Sequence, residues 1–323
     1  LNARRTEWEW LLDRIFEQGK SLSALDRCIG QEIKELGKPA FRHQIVLGLP
    51  EAIRGQKDWG KLDGREMDFS KEEDQIAATK WYIGELVERF KAAKYKHLEL
   101  SGFYWVAEDT HHCAELTIPL SEYIHSEGKL FYWIPYWQAK GHEEWKRLGF
   151  DVAYQQPNHF FNHSIPDSRL DEACATARRH GMAMEFEFDE KATAAIPNSS
   201  YDRMVAYIDH FEKNDVFNSS AVAYYCGNRG VLTLDESDNP KDKALMDRLA
   251  RIIQARRYLK YGIPMKNKTR VVAHRGFWHT DGSAQNSIAS LLKADQLGVY
   301  GVEFDVWMAS DGVPVLNHDG WHD

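Results

Sequence analysis

Three short runs near the C-terminus hold residue types that could act together on an anionic substrate: "HRG" at 274–276, "EFD" at 303–305 and "DGVPVLNHD" at 311–319. Glu303 and Asp305 are separated by one residue, so on an extended strand both side chains face one way and can converge on a single divalent ion. Hard cations favour such oxygen donors. Imidazole is the side chain suited to general base and general acid work, and His274 and His318 are the two candidates. Arg275 offers the forked donors that grip a phosphate. Each run alone is weak, since a lone HRG arises by chance and Glu-x-Asp is commonly just the polar face of a sheet. A second acidic group lies in "MAMEFEFD" (182–189), where Glu185, Glu187 and Asp189 alternate with Met184, Phe186 and Phe188. If this strand belongs to a parallel barrel, its apolar face meets helices and its acids point inward, where they are costly unless paired or functional.

Those residues need strands to deliver them, and the apolar pattern supplies six: 43–50, 97–105, 129–137, 150–157, 182–189 and 221–227. Amphipathic helices fill the gaps, the alternation of a parallel α/β sheet. Ser70 and Glu73 predict a capping box, with Ile76, Ile83, Leu86 and Phe90 on the buried face behind it. Asp167 or Ser168 can cap a helix that ends at Gly181, and Pro240 suits the first turn of another. Six strands are two fewer than in a (β/α)8 (TIM) barrel, and the chain opens on a helix. The expectation is therefore such a barrel over 1–261, with its first two βα units preceding Leu1. Residues 262–268, "GIPMKNK", read as a linker, and a new strand starts at 269.

The 323 residues are 43% hydrophobic, with mean hydropathy −0.56, as expected of a chain able to bury a core. No apolar run approaches the ~20 residues of a membrane span. A net charge of −8 gives no general basic field, so nucleic acid is not an expected partner. Cys28, Cys113, Cys174 and Cys226 lie far apart and read as buried free thiols rather than a disulfide or zinc framework. In "EDTHHCAE", His111, His112 and Cys113 are adjacent and read as a solvated loop sooner than a metal site. No signal peptide is displayed at Leu1.

Taken in order, HRG, ExD and DGxxVxxHD resemble the glycerophosphodiester phosphodiesterase family, a (β/α) barrel of metal-dependent hydrolases. The resemblance implies general base and general acid roles for His274 and His318, phosphate binding by Arg275, and a divalent cation (Ca or Mg) on Glu303 and Asp305. It also implies a glycerophosphodiester substrate and a secreted or periplasmic setting. The family's Glu-Asn pair appears here as Gln285-Asn286, removing a negative charge. The resemblance covers about a fifth of such a barrel. Hence 269–323 is expected to be the truncated start of a second barrel, inactive as given and complete only in a longer gene product.

The words "GFYWVAE", "FYWIPYW", "GFDVAYQQPNHFF" and "MEFEFD" make residues 1–260 resemble an uncharacterised, glycosidase-like bacterial barrel family described as a domain of unknown function. Aromatic residues gather at its strand ends, where Trp and Tyr could stack on sugar rings or simply fill the barrel and helix interface. Gln155, Gln156 and Asn158 could meet hydroxyls or cap their loop. Glu108 follows one strand and Glu187 lies on the third strand after it. That interval resembles the spacing of acid/base and nucleophile in a large clan of retaining glycosidases. The expectation is Glu187 as nucleophile and Glu108 as acid/base, with Asp109 or Glu99 able to replace Glu108. Trp105, Trp137, Gln156, Asn158 and Tyr225 would line the glycan site, and no cofactor is evident for this barrel. A non-catalytic carbohydrate-binding barrel that positions the phosphodiesterase is the alternative.

Overall fold

Strands with one apolar and one mixed face, joined by helices, fold as alternating pleat and burial dictate. A computed structural model describes residues 2–39, 41–110, 114–261 and 271–278 together with 282–319, with backbone alone for 257–261. The linker assigned to 262–268 and the loop residues His111, His112 and Cys113 lie outside the described residues. Two compact units result: 1–188 with 221–226, and 189–220 with 227–323.

In the first unit all six expected strands form, as His43–Leu49, Leu98–Trp105, Leu130–Trp133, Val152–Gln155, Ala183–Phe188 and Val222–Cys226. They lie side by side in chain order and every neighbouring pair is parallel, giving a curled half-barrel sheet in an α/β fold. The third strand is shorter than its apolar run, ending at Trp133 instead of 137. Pro135 has no N–H to give a ladder, and the carbonyls of Ile134 and Pro135 serve the Gln156 side chain and backbone N–H instead. One sheet face is dry: Leu49, Trp105 and Trp133 lie in register and are buried, as are Met184, Phe186 and Phe188. Phe150 stacks on Trp133 at 4.9 Å, interplanar angle 15°.

The helix expected behind Ser70 is Glu72–Ala93, but the capping box does not form. Ser70 donates its hydroxyl to Asp68 Oδ1 at 2.6 Å, a local turn that competes with the cap. The helix begins two residues later, and its buried side turns to Gln75, Thr79, Tyr82, Ile83 and Leu86, leaving Ile76 and Phe90 half-buried. Asp167 does not cap Ser168–His180 with its side chain, while Gly181 ends that helix in the left-handed region as expected, φ 63°. Of the described cysteines, Cys28, Cys174 and Cys226 are free, but only Cys174 is buried, which pushes its thiol up to about 12. Cys28, on a helix's outer face, and Cys226, at the end of an edge strand, are exposed, contrary to the expectation.

In the second unit Pro240 opens the helix Pro240–Tyr261. The buried Asp242 in its first turn accepts from Ala194 N at 2.7 Å and Ser237 Oγ at 2.6 Å, fastening the preceding loop to the helix start. Farther on, Val272–His274 and Gly301–Glu303 pair in parallel, joined through the helix Ile288–Gln296 in one βαβ unit. Val306–Met308 and Pro314–Leu316 form an antiparallel pair. Among the described residues no helix is long and apolar enough to cross a membrane.

Candidate functional site

In the second unit the sequence places His274 at the end of a strand and Arg275 just past it, at φ 60°, so the backbone turns back at once. Gly276 follows at φ 83°, and a Cβ there would lie 2.6 Å from that of Ser290. The glycine of HRG thus lets the turn close onto the helix Ile288–Gln296, whose Ser290 Oγ donates to the Arg275 carbonyl at 3.2 Å. Gly276→Ala is expected to destabilise this βαβ unit by about 1–3 kcal/mol through overpacking and a strained φ. Thermal unfolding of the purified chain measures it, and an unchanged transition would show that Ser290 can move aside at no cost.

The ExD residues do not share one strand, contrary to the simple alternation. The strand ends at Glu303, and Asp305 sits in the break before Val306–Met308. Asn286, itself in the left-handed region at φ 54°, holds that break by a reciprocal pair. Its Nδ2 donates to Asp305 Oδ2 at 3.0 Å, and its Oδ1 accepts from Asp305 N at 3.1 Å. Both carboxylates approach Arg275. Glu303 Oε2 accepts from Arg275 N at 3.1 Å and lies 3.8 Å from His274 Nε2; Asp305 Oδ2 is 3.5 Å from Arg275 Nε. Arg275 Nη1 donates to Gln285 Oε1 at 2.8 Å, so the residue in place of the family's Glu orients the guanidinium. His318 pairs with Asp319 Oδ1 at 2.8 Å. The Asn286 hydrogen bond chiefly, then the charges of Arg275, His318 and His274, holds the Asp305 carboxyl below its ordinary range. Two carboxylates facing solvent beside two imidazoles offer the hard oxygens a divalent cation takes.

In the first unit the acids of Ala183–Phe188 occupy the face opposite Met184, Phe186 and Phe188. Glu185 and Glu187 are 6% and 3% exposed. They stand in register with Ala223 and Tyr225. Burial, then the charges of Glu187 and Glu108, raises the Glu185 carboxyl to about 8. Tyr104 is raised by burial and by the same Glu108 and Glu185. The sheet thus brings Glu108, from the exposed bend after Leu98–Trp105, into the field of the buried acids. Glu187 Oε2 also accepts weakly from His159 N at 3.4 Å. Tyr225, half-exposed, meets Phe161 edge-on at 5.8 Å. The alternation that aims Glu187 inward aims Glu185 there too, so this buried acid was visible in the sequence, though without a role.

Four of the expected glycan-site residues are otherwise occupied. Trp105 is 3% exposed, on the face opposite Tyr104, and meets Phe131 edge-on at 6.2 Å, so it is core. Gln156 Nε2 donates to Ile134 O at 2.9 Å, and Asn158 Nδ2 donates to Gln156 Oε1 at 2.8 Å. Asn158 Oδ1 in turn accepts from Trp137 N at 2.6 Å. These amides cap the loop, since a turn carrying Pro135 and Pro157 leaves backbone groups that need partners. The Trp137 ring carries the Arg169 guanidinium 4.7 Å from its centroid. Of the possible stand-ins for Glu108, Glu99 is exposed at the strand's start and Asp109 accepts from the Tyr136 hydroxyl at 3.3 Å.

A curled parallel sheet with buried acids on its inner face and a βαβ unit bearing His, Arg and two carboxylates make up a chain of two distinct α/β parts. The chain belongs to the family described as Domain of unknown function (DUF4855), whose model matches residues 1–251. The glycerophosphoryl diester phosphodiesterase family matches residues 274–322. Glycerophosphodiester phosphodiesterase 1 of Rattus norvegicus and that of Mus musculus are each 39% identical over 67 residues, 21% of this chain and 19% of theirs. The Homo sapiens protein is 39% identical over 54 residues, 17% and 16% of the two chains. The chain therefore spans about a fifth of the length of these relatives. A solved structure named as a provisional alpha-L-fucosidase of Bacteroides thetaiotaomicron aligns with 57% of this chain and 63% of its own, at TM-score 0.37 and 14% identity. That likeness is too slight to define function.

Proposed function

We propose that the gene product carrying this chain hydrolyses glycerophosphodiesters through the centre around Asp305, and that the segment from 269 begins a second (β/α) barrel. The observation that carries the reading is the gathering of His274, Arg275 and His318 in the field of Asp305, beside Glu303. Glu303 and Asp305 would hold a Ca or Mg ion, which when bound offsets charge on the phosphoryl oxygens. His274 accepts the proton of the attacking hydroxyl or water as its oxygen bonds to phosphorus. His318, protonated, gives its proton to the alkoxide as the phosphorus–oxygen bond breaks. Arg275, braced by Gln285, holds a non-bridging oxygen. The second-barrel reading is supported by uncovered apolar surface on this segment: Ile288 is 74% and Met308 69% exposed. Release of glycerol phosphate, abolished by a chelator and restored by Ca or Mg, tests the activity. No release with any divalent ion would end the reading.

For the larger unit the proposal is a glycan site on the inner face of the half-barrel, the sheet being part of a (β/α)8 barrel. Glu187 is the nucleophile and Glu108 the acid/base of a retaining hydrolase, and Tyr225 and Tyr104 are the rings nearest the sugar. Glu185, kept protonated at neutral pH, lets Glu187 carry its charge in a buried place. Glu187→Gln is expected to remove glycan hydrolysis while leaving glycan binding within a few-fold, as a substrate-depletion assay and calorimetry would record. A wild type that binds glycans but cleaves none would instead assign the unit to positioning the phosphodiesterase on a glycan-bearing substrate.

A further inference from the structure

We infer that His142, Glu143 and His180 form a zinc-type metal site that staples a loop of the first unit to the end of a helix. Each offers a ligand atom, and these atoms all lie within 4.8 Å of one another; none of the three residues belongs to the buried acids or to the Asp305 centre. Two imidazoles and one carboxylate suit Zn, and after it Cu, Ni or Fe, better than Ca or Mg. Three protein ligands leave one position for water.

The local structure prepares the ligands. His142 and Glu143 are adjacent, and on an extended strand they would point apart. Here they lie in the single 3-10 turn His142–Glu144, which sets successive side chains about 120° apart instead of on opposite sides, and their ligand atoms lie within 4.8 Å of each other. Gly141 starts that turn at φ 89°, where a Cβ would come within 3.0 Å of Leu148 Cδ1. His142 Nδ1 lies 2.6 Å from the Ala139 carbonyl, which can only accept, so the proton sits on Nδ1 and Nε2 keeps its lone pair. A carbonyl that fixes the tautomer from behind is the usual outer partner of a metal-binding histidine. His180 ends the helix Ser168–His180, where the negative pole of the helix dipole favours a cation. Its backbone is pinned by Trp145 Nε1, which donates to the His180 carbonyl at 2.9 Å.

The three ligands are close to, though not yet at, bonding separation. His180 Nε2 is 3.8 Å from Glu143 Oε1. Tetrahedral zinc with bonds of ~2.0–2.1 Å places its donors roughly 3.3–3.5 Å apart. Glu143, 65% exposed in its side chain, is the member free to close the difference. His180 lies three residues before the strand Ala183–Phe188 begins, at that strand's amino end, and none of the three ligands is among the residues assigned to catalysis, so the metal is structural.

The test is titration of the untagged chain with Zn alone and with Co, following heat, thermal unfolding and the visible Co spectrum. One equivalent is expected to bind with tetrahedral-type Co bands and to raise the unfolding temperature. His142→Ala and His180→Ala should each weaken that equivalent by on the order of 100-fold. Glu143→Gln, at an exposed position, should weaken it while leaving the metal-free fold unchanged. Asp305→Asn, which removes a carboxylate assigned to the phosphodiesterase ion, should leave the bands in place, separating this site from that centre. Binding that is absent, or equally strong in all three ligand variants, would overturn the assignment.

Discussion

Replacing His274 by alanine is expected to lower metal-dependent phosphodiester hydrolysis by the gene product roughly 10²- to 10⁴-fold, the range for loss of a positioned acid or base. The residue stands where a strand delivers it, 69% exposed in its side chain and 3.8 Å from Glu303 Oε2, so its removal leaves no buried cavity. The fold should therefore survive, and the loss should fall on kcat. Divalent-ion affinity should change much less, because Glu303 and Asp305 remain. An assay of glycerol phosphate release over a range of substrate and cation concentrations separates these effects. Equal activity in His274→Ala would remove the proton-transfer role. Activity recovered merely by raising the cation concentration would make His274 a ligand.

Glu185→Gln is expected to abolish the pH dependence that Glu185 imposes on stability. The Glu185 carboxyl titrates near 8 in the folded chain against 4.5 ordinarily, raised by burial first and then by Glu187 and Glu108. Between those values the folded state holds the proton and the unfolded state does not. Stability from this group is therefore fully present below the unfolded value and falls as pH rises towards 8. The full difference, at 1.36 kcal/mol per unit, is at most about 4–5 kcal/mol. Glutamine keeps the shape and cannot ionise, so the variant should match the wild type near pH 4.5 and exceed it by several kcal/mol near pH 9, on the order of the linkage limit. Urea unfolding across that interval measures both curves. Parallel curves would show that Glu185 is not the group that carries the proton.

Much of the fold was legible because backbone periodicity is local. The six strands were found from apolar runs, in the right order, since a buried parallel strand must be apolar on its helix-facing side. The inward direction of Glu185 and Glu187 followed from the same alternation. The Ser70 capping box was not legible, because its hydroxyl had a nearer partner in Asp68. Nor was the use of Gln156 and Asn158, whose amides suit sugar hydroxyls and orphaned carbonyls equally well until the loop's own unpaired groups are known. Trp105 followed the same course: an aromatic ring at a strand end looks alike from either face, and the pleat put it in the core.

By itself the sequence determined the residue types, their order and the side of the strand on which Glu185 and Glu187 lie, which was enough to point to the family that matches residues 274–322 and to turn the acids inward. Tertiary structure alone decided which groups share a field. It put Asn286 against Asp305, Glu108 within reach of Glu185, and His180 beside His142 and Glu143. The reason is physical: pleat and helix period act over a few residues, whereas desolvation and charge depend on neighbours brought together from distant parts of the chain.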